Sequence, residues 1–554
     1  SGAAYFDNVY LGTNPPAENA AERTAPDSRT APSRDAAPTQ ADSGGALSAA
    51  VDVNAKRELR PIPATLYGAN IEWIWNGDGL WDSNRNELNP EIVRLTRDVG
   101  TSLLRFPGGV FANFYHWKDG VGPQSSRRTT EHTPGGPKSV HVFGTDEALA
   151  FASRVGARLM ITVNASTGTP EEAAEWVRYV NGKNQPGRRV DYWEIGNELY
   201  IGAVTPAEYA KRFLQFAHAM RAADPSIRLG AIADDNYGRT IPHKYPDWAG
   251  RVLSEAGNEI DFLSVHNGYA PILASDNGWD TRTVYSAMLA APILMKKSLD
   301  DIAGKIQRYA PAGRASHIKI AVTEWGPLFQ GTPKDRFVDH VKTLGSGLFA
   351  ASAMKAFIES PQTDIANFFK LVDPLYAGWI APRGGGYVPT GPYYALEMYT
   401  RHFGGVAVES DVKSPAYRSV SVGWVDAVQS VPYLDVVSSR SGDGRTLYVL
   451  AINKNFDQPV RAKIQLHGFE PSGNATQWVF NGTGIGANLG STPVAVPGVK
   501  WARQAVDEKN PRFDRGGPGE IHLTSAPLGN VSASFEYAFP AHSVTSLEIG
   551  GRLR

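Results

Sequence analysis

Cysteine is absent from this 554-residue sequence. Its absence excludes disulfides, thiolate metal sites, iron–sulfur clusters and cysteine nucleophiles, and it leaves the redox compartment undetermined. Excess basic charge is also lacking, because 55 Lys and Arg residues balance 56 Asp and Glu residues, so we expect no nucleic-acid partner. No stretch reaches the roughly 18 apolar residues of a membrane-spanning helix and no signal peptide is recognisable, so we expect no membrane partner.

What remains is the composition of a globular chain. Hydrophobic residues make up 42% of the sequence and charged residues 20%, which is enough apolar material for a sizeable core. Aromatic residues contribute 10%, beside 56 Gly and 38 Pro. This mixture indicates many loops and aromatic-lined surfaces.

The first 65 residues divide into three segments. Residues 1–11 contain a short strand-like run, which we interpret either as the end of an upstream domain or as a strand docked on the body. Residues 12–47 are rich in Ala, Pro, Ser, Thr and Asp and predict a linker. Residues 48–65 are expected to add one or more strands to the C-terminal domain.

Residues 66–405 alternate strand-like and helical patterns. Eight short, mostly apolar runs are typical of strands buried on both faces of a parallel sheet. Helical patterns lie between them, two of which open on Thr-Pro-x-Glu, and eight such units are the count of a (β/α)₈ TIM barrel. An open doubly wound sheet is the alternative, but it would carry a Gly-x-Gly-x-x-Gly loop that is missing here. The predicted strands are 66–72, 101–106, 158–163, 190–196, 227–233, 260–266, 318–324 and 365–371.

After residue 405 the pattern changes to alternating runs separated by turn residues. Runs at 445–453 and 459–465 are examples, and a Ser-Gly-Asp-Gly turn at 441–444 precedes the first of them. Residues 406–554 therefore predict an antiparallel β-sandwich. The predicted fold class is α/β, a TIM barrel followed by this sandwich.

Two glutamates are the strongest catalytic candidates. Active residues of such barrels lie at the C-terminal strand ends, where Glu198 ends the fourth predicted strand region and Glu324 the seventh. Paired carboxylates across a sugar are what glycoside hydrolysis needs, one protonated and one ionised. A lone strand-end Glu is more often solvated or salt-bridged, but the pair favours catalysis.

The sequence resembles a known family of enzymes. It is similar to retaining glycoside hydrolases of clan A, whose (β/α)₈ barrels carry both catalytic glutamates on strands four and seven, and most of all to the family 51 α-L-arabinofuranosidases. The resemblance covers about residues 66–405, and the C-terminal sandwich also fits that family. The motifs that carry it are residues 104–109, 115–123, 143–147, 163–173 and 176–182.

The resemblance implies a role for each matching residue. Glu198 would be the general acid/base and Glu324 the nucleophile, while Asn197 would bind the sugar's 2-hydroxyl and Glu72 other sugar hydroxyls. Arg105 would lie beneath the nucleophile, with a purely structural ion pair as the alternative. His266 and Tyr269 match a His and a substrate-side Tyr after strand six. Stacking walls against the sugar, or equally core positions, are expected for Trp325 and Trp379.

Some positions depart from the family pattern and leave the substrate open. Val110 follows Pro-Gly-Gly where Asn or Cys is usual, one residue is inserted between His266 and Tyr269, and the expected Gln before Tyr393-Tyr394 is missing. An endo-acting β-1,4-glycanase or another furanosidase is therefore an alternative. A non-catalytic carbohydrate-binding barrel is the alternative from a different class, although both glutamates are present.

The remaining expectations concern partners. The near-neutral charge suits a plant-type polysaccharide or oligosaccharide substrate, and no cofactor or metal is expected because His266 is alone among the predicted strand ends. Residues 1–11 resemble the closing strand of a jelly-roll carbohydrate-binding module. A secreted or periplasmic location is favoured, and the oligomeric state cannot be read from the sequence.

Overall fold

The computed structural model describes residues 47–182, 189–233, 245, 247–266, 279–327, 338–373, 377–383, 386–487 and 520–554. Segment 1–11 and residues 12–46 lie outside these ranges, so their interpretation stays a prediction. Every helix within the described ranges is too short or too polar to cross a bilayer.

The first described element, β1 (Leu47–Pro61), belongs to the C-terminal sheet. The chain then builds a closed barrel of eight parallel strands, and the predicted barrel is confirmed. In chain order the barrel strands are β2 (Gly68–Asn70), β3 (Leu103–Phe106), β4 (Arg158–Val163), β5 (Tyr192–Ile195), β6 (Arg228–Ile232), β7 (Phe262–Val265), β8 (Lys319–Trp325) and β9 (Thr363–Phe368).

In the part of the chain that the structure describes, one α-helix of nine or more residues follows each barrel strand. Both predicted Thr-Pro openings are confirmed as helix starts, because Thr169 and Thr205 accept hydrogen bonds from Glu172 N and Glu208 N. The helices are α1 (Pro90–Asp98), α2 (Thr145–Val155), α3 (Pro170–Asn181), α4 (Pro206–Ala223), α5 (Trp248–Ala256), α6 (Thr281–Tyr309), α7 (Leu344–Ile358) and α8 (Gly391–Arg401).

Two helix predictions need correction. The sequence reading missed α5, whose Asp247 makes no side-chain cap hydrogen bond and whose nine residues include Gly250, a poor helix former. The apolar spacing of residues 334–356 predicts a single helix, whereas the structure has a 3₁₀ turn at Val338–Lys342 before Thr343, which caps α7 through Ser346 N. Both errors come from local capping that apolar spacing does not reveal.

The C-terminal domain is a nine-stranded sheet to which β1 contributes. β1 pairs antiparallel with Val406–Lys413 and parallel with Val460–His467. Side chains from strands that are not neighbours in the sheet, among them Phe469, Val449 and Phe539, share one buried cluster, as expected of a β-sandwich. The later strands are β10 (Val406–Lys413), β11 (Leu434–Arg440), β12 (Thr446–Asn453), β13 (Val460–His467), β14 (Phe469–Gly482), β15 (Ile521–Pro527), β16 (Ser534–Phe539) and β17 (Ser543–Leu553).

Candidate active site

A buried arginine connects the polar residues at the barrel mouth. Arg105 on β3 is fully buried, and its guanidinium donates to Glu194 Oε2 at 2.7 Å and to Glu324 Oε1 at 2.8 Å. It also donates to Asn70 Oδ1 at 2.9 Å and to Asn197 Oδ1 at 2.7 Å. Burial alone would lower the pKa of Arg105, but the Glu194 and Glu324 carboxylates raise it. The arginine is therefore a fixed positive charge beside Glu324.

Glu194 is the second acid of this cluster, and it points into the barrel from the middle of β5. Its carboxylate accepts from Thr162 Oγ1 at 2.6 Å and from Ser264 Oγ. Burial opposes its charge, yet Arg105 and these hydroxyls outweigh that effect and lower the pKa of Glu194. Glu194 thus supplies a negative charge that offsets the positive charge of Arg105.

Removing Arg105 should destabilise the fold strongly. Arg105→Met removes the positive charge that bridges the buried Glu194 and Glu324, and we expect the free energy of unfolding to fall by about 3–5 kcal/mol. Urea denaturation checks this, with Arg94→Met as the control, since the exposed Arg94–Asp98 pair is worth less than about 1 kcal/mol. Equal stability losses in the two variants would contradict the cluster's role.

Glu198, His266 and Glu324 converge on one point. One oxygen of each glutamate and one ring nitrogen of His266 all lie within 4.8 Å of one another. His266 Nδ1 lies 2.5 Å from Glu198 Oε1 and 3.6 Å from Glu324 Oε2. Burial would lower the pKa of His266, but the carboxylates Glu324 and Glu198 raise it, which favours the imidazolium between them.

The local backbone geometry orients Glu198 and Asn197 at the barrel mouth. Glu198 has a left-handed backbone with φ of 47° and begins a 3₁₀ turn, a conformation that L-residues rarely adopt. Asn197 is fully buried, and Asn113 fixes its backbone from both sides, through Oδ1 to Asn197 N and Nδ2 to Asn197 O. Asn197 Nδ2 is buried without a hydrogen-bond partner, so it is a free donor beside Glu198.

Glu72 lies in a different part of the mouth, in contact with a lysine. Lys370 Nζ donates to Glu72 Oε2 and to Asp78 Oδ2, both at 2.7 Å, and all three side chains are buried. Burial raises the pKa of Glu72 despite the nearby lysine. Glu72, Lys370 and Asp78 are called the lysine wall below.

The two tryptophans with a predicted stacking role are buried in the structure. Trp325 and Trp379 are both 1% exposed, and each packs against Phe368 with ring centroids 5.0 Å apart. Both are core residues in the structure, which is the alternative role that the sequence left open, and the stacking role is corrected accordingly. Tyr269 lies outside the described residues, so its role stays a prediction.

Three contributors were not predicted from the sequence. Glu194 and Asn113 support Arg105 and Asn197, while Asp78 completes the lysine wall. Lys370, which donates to Glu72 and Asp78, is one of the polar residues expected at the predicted strand ends, although no role follows from that position. Nothing in the local pattern indicates that Asp78 folds back to meet it.

The long segment after β3 contains a buried pair of histidines. His141 stacks on Trp73 with ring centroids 4.0 Å apart, and His132 meets the same indole edge-on at 5.4 Å. Burial lowers the pKa of His132 to about 4 and that of His141 to about 3. Both histidines are therefore neutral in the folded protein at neutral pH.

This pair should make the protein sensitive to acid. Between pH 6.5 and about 4 the unfolded chain binds more protons than the folded one. The free energy of unfolding therefore falls as the pH is lowered, by up to about 1.4 kcal/mol per pH unit for each histidine. His141→Phe keeps the stacked ring and should flatten this slope in urea titrations at successive pH values. The exposed His317→Gln serves as control, and an unchanged slope in His141→Phe would contradict the assignment.

Glu198, His266 and Glu324 also offer the donor atoms that a divalent cation could use. Arg105 already neutralises Glu324, however, and His266 Nδ1 is engaged with Glu198. The expectation that the chain needs no metal or cofactor stays a prediction.

Comparison with known proteins places the chain among sugar-cleaving enzymes. A family model described as the α-L-arabinofuranosidase 1 domain matches residues 95–253, and one described as the α-L-arabinofuranosidase C-terminal domain matches residues 323–514. An intracellular exo-α-(1→5)-L-arabinofuranosidase of Halalkalibacterium halodurans is 24% identical over 470 residues, covering 76% of this chain and 88% of that protein. α-L-Arabinofuranosidase C of Emericella nidulans is 25% identical over 538 residues, covering 90% and 96% respectively.

The similarity extends to solved structures. The α-L-arabinofuranosidase of Thermotoga maritima, solved with arabinose, has a TM-score of 0.72 and 25% sequence identity, covering 91% of this chain and 100% of that one. The matches to both family models, to these relatives and to the solved structure identify a glycoside hydrolase of the retaining clan A. Within that clan, the chain belongs to the α-L-arabinofuranosidases of family 51.

Proposed function

We propose that this protein removes terminal α-L-arabinofuranosyl groups from plant-type polysaccharides or oligosaccharides by a double displacement. The observation that carries the proposal is the approach of Glu198 and Glu324, whose closest oxygens lie within 4.8 Å. Retaining glycosidases hold their carboxyl groups about 5–5.5 Å apart, whereas inverting ones leave about 6.5–9.5 Å for a water molecule. This spacing supports retention.

The surroundings of the two glutamates support different roles for them. Glu324 accepts a hydrogen bond from Arg105, which holds its carboxylate in place for nucleophilic attack. Glu198 instead contacts His266 and Tyr200. The Glu198 side chain is 11% exposed against 4% for Glu324, and greater access to water suits the group that must release and take up a proton, so Glu198 is the better acid/base candidate.

In the first step Glu324 attacks the anomeric carbon while Glu198 gives its proton to the leaving oxygen. In the second step Glu198 takes a proton from water, and that water releases the sugar from Glu324. Asn197 Nδ2, the free donor beside Glu198, would bind the 2-hydroxyl. A hydrogen bond there that strengthens in the transition state would raise kcat.

A substrate screen tests the proposal. We expect hydrolysis of 4-nitrophenyl α-L-arabinofuranoside, and release of arabinose from arabinan or arabinoxylan without shortening of the main chain. Inactivity on these substrates combined with shortening of β-1,4-glucan or xylan would contradict it and favour the endo-glycanase alternative. Binding to polysaccharide without any turnover would favour the non-catalytic alternative.

A further inference from the structure

The lysine wall lies across the barrel mouth from the proposed acid/base. Lys370 follows β9 and Glu72 follows β2, which are neighbouring strands, whereas Glu198 follows β5, the strand diametrically opposite β9 in the closed ring. The leaving group must lie beside the acid that protonates it. The wall of Glu72, Lys370 and Asp78 therefore faces the glycone, the sugar whose bond is cleaved, from the side remote from the scissile bond.

A left-handed turn delivers Asp78 to this wall. Trp75, Asn76 and Asp78 have φ values of 46°, 61° and 55°, and Gly77 and Gly79 between and after them are also left-handed. Each non-glycine residue in this region costs roughly 1–2 kcal/mol. Strain of this kind persists where the surrounding structure holds it, and it concentrates at functional sites. Here the turn folds the chain back from β2 so that the Asp78 carboxylate reaches Lys370.

One atom of the wall lacks a partner. Asp78 is 4% exposed, Oδ2 accepts from Lys370, and Oδ1 is buried with no hydrogen-bond partner in the protein. A buried polar atom left unpaired is costly, so a ligand or water is expected to satisfy it. Burial raises the pKa of Asp78 well above its usual range, and Glu72 and Asp373 add to this against the effect of Lys370. A sugar hydroxyl both donates and accepts, so it suits either protonation state.

We infer that Asp78 determines specificity because its Oδ1 makes a hydrogen bond with a glycone hydroxyl that points away from the scissile bond. Lys370 holds Asp78 and Glu72 in place for this contact. This inference rests on the proposed function, because the place of Glu198 assigns this side of the mouth to the glycone. The 2-hydroxyl adjoins the anomeric carbon and is served by Asn197. The 3- or the 5-hydroxyl of the arabinofuranosyl group is therefore the partner of Asp78.

The test compares hydroxyl-deleted substrates. Asp78→Gly removes the carboxylate without adding backbone strain, because glycine adopts a φ of 55° freely. Kinetics are measured on 4-nitrophenyl α-L-arabinofuranoside and on its 3-deoxy and 5-deoxy analogues. For the parent we expect Asp78→Gly to lower kcat/KM by about 10- to 100-fold, as for loss of a hydrogen bond to a buried charged site. For the analogue that lacks the bonded hydroxyl, wild type and variant should agree within about threefold.

Two comparisons make the result decisive. Asp78→Asn keeps a polar atom at the same place and should lie closer to wild type than Asp78→Gly on the parent, and equal losses in both would contradict the hydrogen bond. A variant that is merely misfolded loses activity equally on all three substrates, so equal ratios would overturn the inference alone. Inactivity of the wild type on the parent, with hydrolysis of another glycoside, would overturn the proposed function together with the inference.

Discussion

Glu324→Ala is expected to abolish turnover, with kcat falling by at least about 10⁴-fold, as when other enzymes lose their nucleophile. The fall should appear on every substrate, because no covalent intermediate can form without this carboxylate. Glu359→Ala is the matched control, since Glu359 is a partly buried acid paired with Lys355 at the end of α7. Its kcat should stay at the wild-type level.

Added azide separates a lost nucleophile from a damaged fold. The space left by the Glu324 side chain, beside Arg105, can admit a small anion that attacks the same face of the sugar. Azide should therefore restore cleavage of an activated aryl arabinofuranoside in Glu324→Ala and yield the β-configured glycosyl azide, inverted relative to the substrate. Wild-type activity in Glu324→Ala, or rescue with an α-configured product, would contradict the assignment.

Glu198→Ala is expected to show an activity loss that depends on the leaving group. Loss of general acid catalysis costs about 10²- to 10⁴-fold, which should apply to kcat/KM on natural arabinosides, whose alcohol leaving groups need a proton. A 2,4-dinitrophenyl arabinofuranoside needs none, so its first step should proceed at nearly the wild-type rate. Deglycosylation then becomes slow, because no base activates water, and a glycosyl-enzyme should accumulate.

Mass spectrometry of the quenched Glu198→Ala reaction locates that adduct. We expect it on the peptide that contains Glu324. Azide added to this variant should yield the α-configured product, since the anion takes the place of the activated water. Equal losses with good and poor leaving groups would show that Glu198 is not the acid/base.

The barrel could be predicted because its strands are short apolar runs separated by capped helices. Thr169 and Thr205 mark helix starts through side chains that bind the first turn, and this signal is local. α5 was missed because its start carries no such cap and its stability comes from Trp248 and Leu253, which are buried against the barrel. Tertiary burial of that kind has no signature in a short window of sequence.

The site was predictable to the extent that strand ends are predictable. Glu198 and Glu324 were identified by the position of their strands, and the structure brings them within 4.8 Å. Glu194 was not identified, because an acid in the middle of a buried strand is unexpected until Arg105 is placed beside it. Asp78 depends on a left-handed turn that no sequence pattern announces. These contacts join residues far apart in the chain, and only the closed barrel creates them.

The most direct test of the two-glutamate mechanism is the configuration of the transfer product formed in methanol-containing buffer. A retaining enzyme passes its glycosyl group from Glu324 to methanol on the face that Glu198 serves. We predict that proton NMR will show methyl α-L-arabinofuranoside, which does not mutarotate, as the transfer product from an α-L-arabinofuranoside. Formation of the β-methyl glycoside would contradict the double displacement and the roles given to Glu198 and Glu324.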